Sequence, residues 1–250
     1  MQAYATTAQI FAAGLVFARV GAMVMLIPGI GEAAVPPRIR LAFAFLMAMV
    51  LAPLVAPNVI VPGTVSGTAG MVIREVLIGL MIGAVLKMFI ASLATAGEIV
   101  SIQTTLGFAQ TANPSLGQPQ TTLSTFLSLL GVVLIMTTDL HHMFLAAMAR
   151  SYTLFPFEQT LPVGDAATLA VQTVAGSFAL GVQLAAPVIV FSLVFNIATG
   201  LIGRVMPQFQ IYFVSSPLAV ILGLSVFALS IGVIGMVWTS RYRELLAVFA

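Results

Sequence analysis

Residues 71–96 read MVIREVLIGLMIGAVLKMFIASLATA, and the fold class turns on this stretch. A bilayer core is about 30 Å thick and a helix rises about 1.5 Å per residue, so about 20 apolar residues cross it. The stretch is long enough to span, yet Arg74, Glu75 and Lys87 lie within it. Its Gly79-Leu-Met-Ile-Gly83 segment is a small-xxx-small face, which lets two helix backbones approach closely. The prediction is therefore a membrane-type helix that packs on other helices.

The rest of the chain agrees. Of its 250 residues, 60% are hydrophobic and nine Lys/Arg with seven Asp/Glu are the only charges. A soluble domain of that length would carry roughly 60 charged residues, so a water-soluble enzyme is excluded. The mean hydropathy is +1.15 and the sequence pI about 9.4. A net charge of +2 builds no phosphate-tracking patch, which excludes a nucleic-acid binder. With no cysteine there are no disulfides, thiolate metal sites or cysteine nucleophiles. Met1 to Gln9 has no Lys or Arg, so no cleavable signal peptide is expected, and no lipidation motif is present.

Further apolar segments run over Ile10–Ile30, Leu41–Ala56, Leu123–Thr138, His141–Ala149, Leu169–Ile202 and Ile211–Trp238. Four spans are firm and two are doubtful. Uncharged Asn58–Gly70 and proline-containing Phe155–Asp165 read as loops, and Arg204–Gln210 interrupts the last apolar run. Arg38 and Arg40 would place the first loop inside, and Arg241 and Arg243 the C-terminus inside; the segment count does not reconcile the two.

Arg19, Arg74, Glu75, Lys87, Glu98 and Arg204 lie in or beside apolar runs. A charge at mid-bilayer costs about 2.5–3.5 kcal/mol even on the mildest scale. Arg74 and Glu75 read as a structural ion pair, while Arg19 and Lys87 could snorkel to an interface. Pro28, Pro187, Pro207 and Pro217 each remove a helix donor, and Pro187, Pro207 and Pro217 are expected kinks. Broken backbone at membrane depth survives only inside protein or beside a watery cavity. Lipid alone is a poor solvent for such a chain, so subunit contacts are expected at Arg74, Glu75, Glu98 and Arg204. Gly79 and Gly83 would serve close helix packing.

Catalytic patterns are missing. His141 and His142 are adjacent, and on a regular helix neighbouring side chains point about 100° apart, so no shared metal is expected. Asp139 reads as the start of an interfacial helix. The sole lysine, Lys87, does not follow phosphate-loop glycines, and no G-x-S-x-G elbow occurs. No cofactor, metal or catalytic residue is assigned.

The least apolar stretch is Glu98–Thr122, EIVSIQTTLGFAQTANPSLGQPQTT. It is uncharged after Glu98, and Pro114 pushes Asn113 out of helical geometry. It reads as an ordinary extramembrane loop or as a loop folded into a wet cavity, where Phe108 would act as a hydrophobic stopper.

Taken together, these residues resemble the FliR family of the flagellar export gate, with counterparts in virulence type III secretion. The matching features are Pro28 to Arg40 with Pro36 and Arg38, Arg74-Glu75-x3-Gly79-x3-Gly83, Ala96-Gly97-Glu98 with Gln103, and Phe108 to Pro114. In the C-terminal part they are Ala186-Pro187, Asn196, Gly200, Arg204-x2-Pro207-Gln208 and Pro217. The likeness runs from about residue 10 to about 240.

The resemblance implies an all-α, multi-pass membrane-type protein of kinked helical hairpins within a hetero-oligomeric export channel. It implies a FliP-like part over about 1–165 and a FliQ-like part over about 166–250, standing largely clear of the bilayer plane. The implied partners are FliP-like and FliQ-like subunits, FlhB- and FlhA-like proteins, and unfolded secreted substrates. The implied location is the bacterial inner membrane at the flagellar basal body. A plug involving Phe108, Asn113 and Pro114 is implied too, thinner than usual because Thr111 replaces a frequent second aromatic and Asn113 a usual Asp. The alternatives weighed are an injectisome subunit, a stand-alone secondary transporter with substrate held between broken helices, and, discounted for lack of catalytic groups, an intramembrane enzyme.

Overall fold

The computed structural model describes residues 7–32, 35–55, 59–107, 121–157, 163–208 and 210–247. Over these residues the regular structure is helical: α1 (Thr7–Leu26), α2 (Pro37–Val55), α3 (Val65–Gln103), α4 (Thr122–Thr137), α5 (Leu140–Leu154), α6 (Val163–Val205) and α7 (Ile211–Ala247). Local chemistry explains the boundaries. Pro37 opens α2, where its missing N–H is not needed. Thr121 caps α4 by accepting from the Ser124 amide. Asp165 in the first turn of α6 and Arg204 in its last complement the helix dipole.

Pro187 lies inside α6 and Pro217 inside α7, and each helix continues past its proline. The expectation for Pro207 is corrected: it falls in the turn between α6 and α7, where a residue without a donor ends a helix instead of bending one. The expected loop at 58–70 is shorter than the sequence suggests, since α3 begins at Val65. The polar stretch from Glu98 starts as helix and remains so to Gln103.

The chain divides into two compact units, one of residues 1–89, 139–174 and 244–250, the other of 90–138 and 175–243. In the first, buried residues recur every four positions: Val16, Val20 and Val24 on α1, Ile78, Ile82 and Leu86 on α3, Leu140, Phe144 and Met148 on α5. That spacing stacks side chains on one helix face. In the second unit Leu180, Leu184 and Val188 of α6 form such a row, and Trp238 stacks on Tyr242 of α7 at 4.9 Å.

Five helices, α1, α2, α3, α6 and α7, are long and apolar enough to cross a membrane, and α4 with α5 supplies a sixth crossing if the bent pair counts as one. Large side chains such as Leu54, Phe178, Val205, Phe213 and Leu229 are exposed, as lipid or protein neighbours would require. The fold is an all-α, multi-pass membrane type. The 39 residues of α3 and 43 of α6 are about 58 and 64 Å long. Even at a 40° tilt, the upper end of the usual range, they would rise about 45 and 49 Å, beyond a hydrocarbon core of about 30 Å.

Candidate functional site

Arg19 lies in the middle of α1, fully buried, with Glu75 of α3 buried beside it. Its Nε donates to Glu75 Oε2 at 2.7 Å and its Nη2 to Glu75 Oε1 at 3.0 Å, a bidentate pair. Nη2 also donates to the Phe155 carbonyl at 2.8 Å, and Nη1 to the Ser151 carbonyl at 2.8 Å and more weakly to Ser151 Oγ at 3.4 Å. A guanidinium carries five N–H donors, and all five have an acceptor here. The Ser151 hydroxyl accepts from Arg19 while donating to Met148 O at 2.7 Å. The Tyr152 ring lies 4.1 Å from the guanidinium carbon, adding a cation–π contact. This is how an ion pair survives without water: every polar atom that left water is repaid within the protein.

Sequence spacing pairs Glu75 with its neighbour Arg74, and the structure corrects that. Adjacent helix residues diverge by about 100°, so the two side chains leave α3 in different directions. Glu75 turns to Arg19, while Arg74 donates to the carbonyls of Pro156 and Phe157. Two arginines from two helices thus hold the chain where it leaves α5.

Gly79 and Gly83 explain how Arg19 reaches its partner. They follow Glu75 at four-residue steps, on the same face of α3. A Cβ on Gly79 would run into the Arg19 carbonyl oxygen and lie 2.8 Å from Ala22 Cβ, and one on Gly83 would lie 2.9 Å from Leu26 Cβ. The glycines therefore let α1 and α3 touch backbone to backbone. Sequence reasoning missed Arg19 as the partner. The available signal was the shared register of Glu75, Gly79 and Gly83, facing a second helix with one unpaired cation at mid-length.

The remaining assigned residues are more scattered. Glu98 is half-buried and its Oε1 accepts from the Thr121 amide at 2.9 Å, supporting the start of α4. Nearby, Ser192 Oγ donates to Gln103 Oε1 at 2.5 Å, and the Trp238 indole donates to Ser92 Oγ at 3.2 Å. Arg204, like Lys87, is exposed on the chain. α3 closes with Thr105 in a left-handed conformation at φ 60°. The expected plug residues Phe108, Asn113 and Pro114 lie outside the described residues.

The expectation for the histidines is also corrected. At the start of α5 the His141 and His142 rings do not diverge; their centroids are 4.1 Å apart with planes at 38°. Asp139, in left-handed backbone at φ 58°, immediately precedes that helix, and its Oδ1 is 3.6 Å from His142 Nδ1. These three are the residues able to hold a metal ion among those described.

Residues 10–245 match the family model described as bacterial export proteins, family 1. The chain is 66% identical over 250 residues to the flagellar biosynthetic protein FliR of Caulobacter vibrioides, covering the whole of both chains. It is 30% identical over 212 residues to the FliR of Escherichia coli, covering 84% of this chain and 80% of the other. Against the FliR of Pectobacterium carotovorum it is 29% identical over 214 residues, covering 85% and 81%.

Proposed function

The chain belongs to the FliR family of bacterial export proteins, and on that basis we propose that it is a subunit of the flagellar type III protein-export gate. With FliP-like and FliQ-like subunits it forms a channel that conducts unfolded flagellar proteins, and FlhA- and FlhB-like proteins, a soluble ATPase and the proton gradient supply the drive. Residues 1–165 act as a FliP-like part and 166–250 as a FliQ-like part. The assembly stands in the inner membrane at the flagellar basal body, with its core toward the periplasm. The role is structural, with no catalytic step.

The observation that carries this reading is the family match over residues 10–245. Two physical features support it. Helices of 39 and 43 residues exceed what a bilayer needs, and their exposed apolar side chains, Phe178 and Val205 among them, call for cover. Within the channel, the segment with Phe108, Asn113 and Pro114 is the plug. Arg204, exposed in the last turn of α6, is the charge best placed to meet a partner subunit, whereas Arg74, Glu75 and Glu98 have partners within the chain.

Purification from cells in mild detergent tests the proposal. An export-gate subunit comes out with FliP- and FliQ-like chains in fixed proportion. Recovery as a stable monomer or small homo-oligomer, with those chains present in the cell, would refute it.

A further inference from the structure

Between residues 122 and 154 the charged and imidazole side chains stand at two places, Arg150 and the break between α4 and α5, where Asp139, His141 and His142 stand together. Asp139 occupies the N-cap position of α5, yet its carboxylate makes no cap hydrogen bond. An aspartate in that position normally spends its oxygens on the first amides of the helix. Here it lies toward His142 instead. The left-handed backbone at Asp139, uncommon outside glycine, marks the break between the helices, and the two imidazoles that follow it converge. One ligand atom from each of the three side chains lies within 4.8 Å of the others. His141 Nδ1 is buried with no hydrogen-bond partner among the described residues, so this imidazole is not committed to the protein on that side.

We propose that Asp139, His141 and His142 form a binding site for a divalent first-row transition ion, Zn2+ foremost. Two imidazole nitrogens and one carboxylate oxygen are the donor set of an open zinc centre, which leaves a coordination position for water. Imidazole donors favour Zn2+, Ni2+ or Cu2+ over Mg2+ and Ca2+, which need mostly oxygen. The Asp139 and His142 side chains are 79% and 68% exposed on the chain, so an ion reaches them without moving the core. The bound ion would tie the residue before α5 to the first turn of that helix and so stiffen the break.

The test is Co2+ titration of the untagged, full-length chain in detergent after chelator treatment, followed by displacement with Zn2+. His141 and His142 are the only histidines in the chain, so histidine-type visible absorption has no other source. The expected result is one Co2+ per chain, displaced by Zn2+, with the absorption lost in H142A and in H141A and reduced in D139N. A second measurement needs no variant: Zn2+, and not Mg2+ at equal concentration, raises the unfolding temperature of the wild-type chain in a concentration-dependent way. A flat Co2+ titration of the wild type, equal binding by H142A of native helical content, or identical Zn2+ and Mg2+ effects would each overturn the proposal. These readings do not depend on partner subunits, so the site stands or falls separately from the export function.

Discussion

Glu75→Gln removes one charge, and almost no shape, from a place that water does not reach. Arg19 then keeps its cation with no counter-charge while both side chains are 0–2% exposed. Breaking a buried pair in this way costs about 3–5 kcal/mol. For a chain of this length 1 kcal/mol moves the unfolding midpoint by about 2–4 °C, so Glu75→Gln should lower it by about 6–20 °C. Arg19→Met, which strands the carboxylate, should do similar damage. The double variant Arg19→Met/Glu75→Leu removes both charges together. The Ser151 carbonyl keeps its bond from the Phe155 amide at 2.9 Å, and the Phe155 carbonyl loses its arginine donor. One unsatisfied carbonyl costs about 1–3 kcal/mol, or about 2–12 °C. The double variant should therefore be more stable than either single one. Far-UV circular dichroism on heating, at fixed detergent and scan rate, measures all four proteins. A Glu75→Gln midpoint within 2 °C of wild type, or a double variant falling by the sum of the singles, would refute the reasoning.

Gly79→Ala should destabilise by about 1–3 kcal/mol, because its Cβ meets backbone oxygen and another Cβ that cannot rotate away. Gly70→Ala in the same helix meets nothing within 4 Å and should gain about 0.5–1 kcal/mol; the two thermal midpoints should move in opposite directions. Thr121→Ala removes the acceptor for the Ser124 amide at 3.3 Å and should cost about 0.5–2 kcal/mol, read in the same melt. Under the proposed plug, Phe108→Ala raises ion leakage through the assembled channel, measured by conductance in planar bilayers; wild-type leakage would reduce Phe108 to packing.

Much of the helix plan was legible because apolar run length and proline placement are local properties. The end of α6 at Val205 was foreshadowed by Arg204 and Pro207, and the start of α4 by the end of the Thr/Gln-rich stretch. Pro187 shows the limit of such reading. A proline signals a lost donor wherever it stands, but whether the helix continues depends on what surrounds it. The same holds for Arg19, for which composition permits snorkelling as readily as burial, since a long side chain can do either. Its partner is 56 residues away in sequence, a separation that no periodicity encodes.

Alone, the sequence determined that this is a helical membrane-type chain with close-packing glycines at 79 and 83 and too many internal charges for bare lipid. Hydrophobic run length and residue size are carried by each segment by itself. Only the tertiary structure decided that Glu75 belongs to Arg19, that Arg74 holds backbone carbonyls, and that two neighbouring imidazoles converge beside Asp139. Those are matters of direction and distance between side chains, set by how helices cross and where one of them breaks, and a linear string of residues does not contain them.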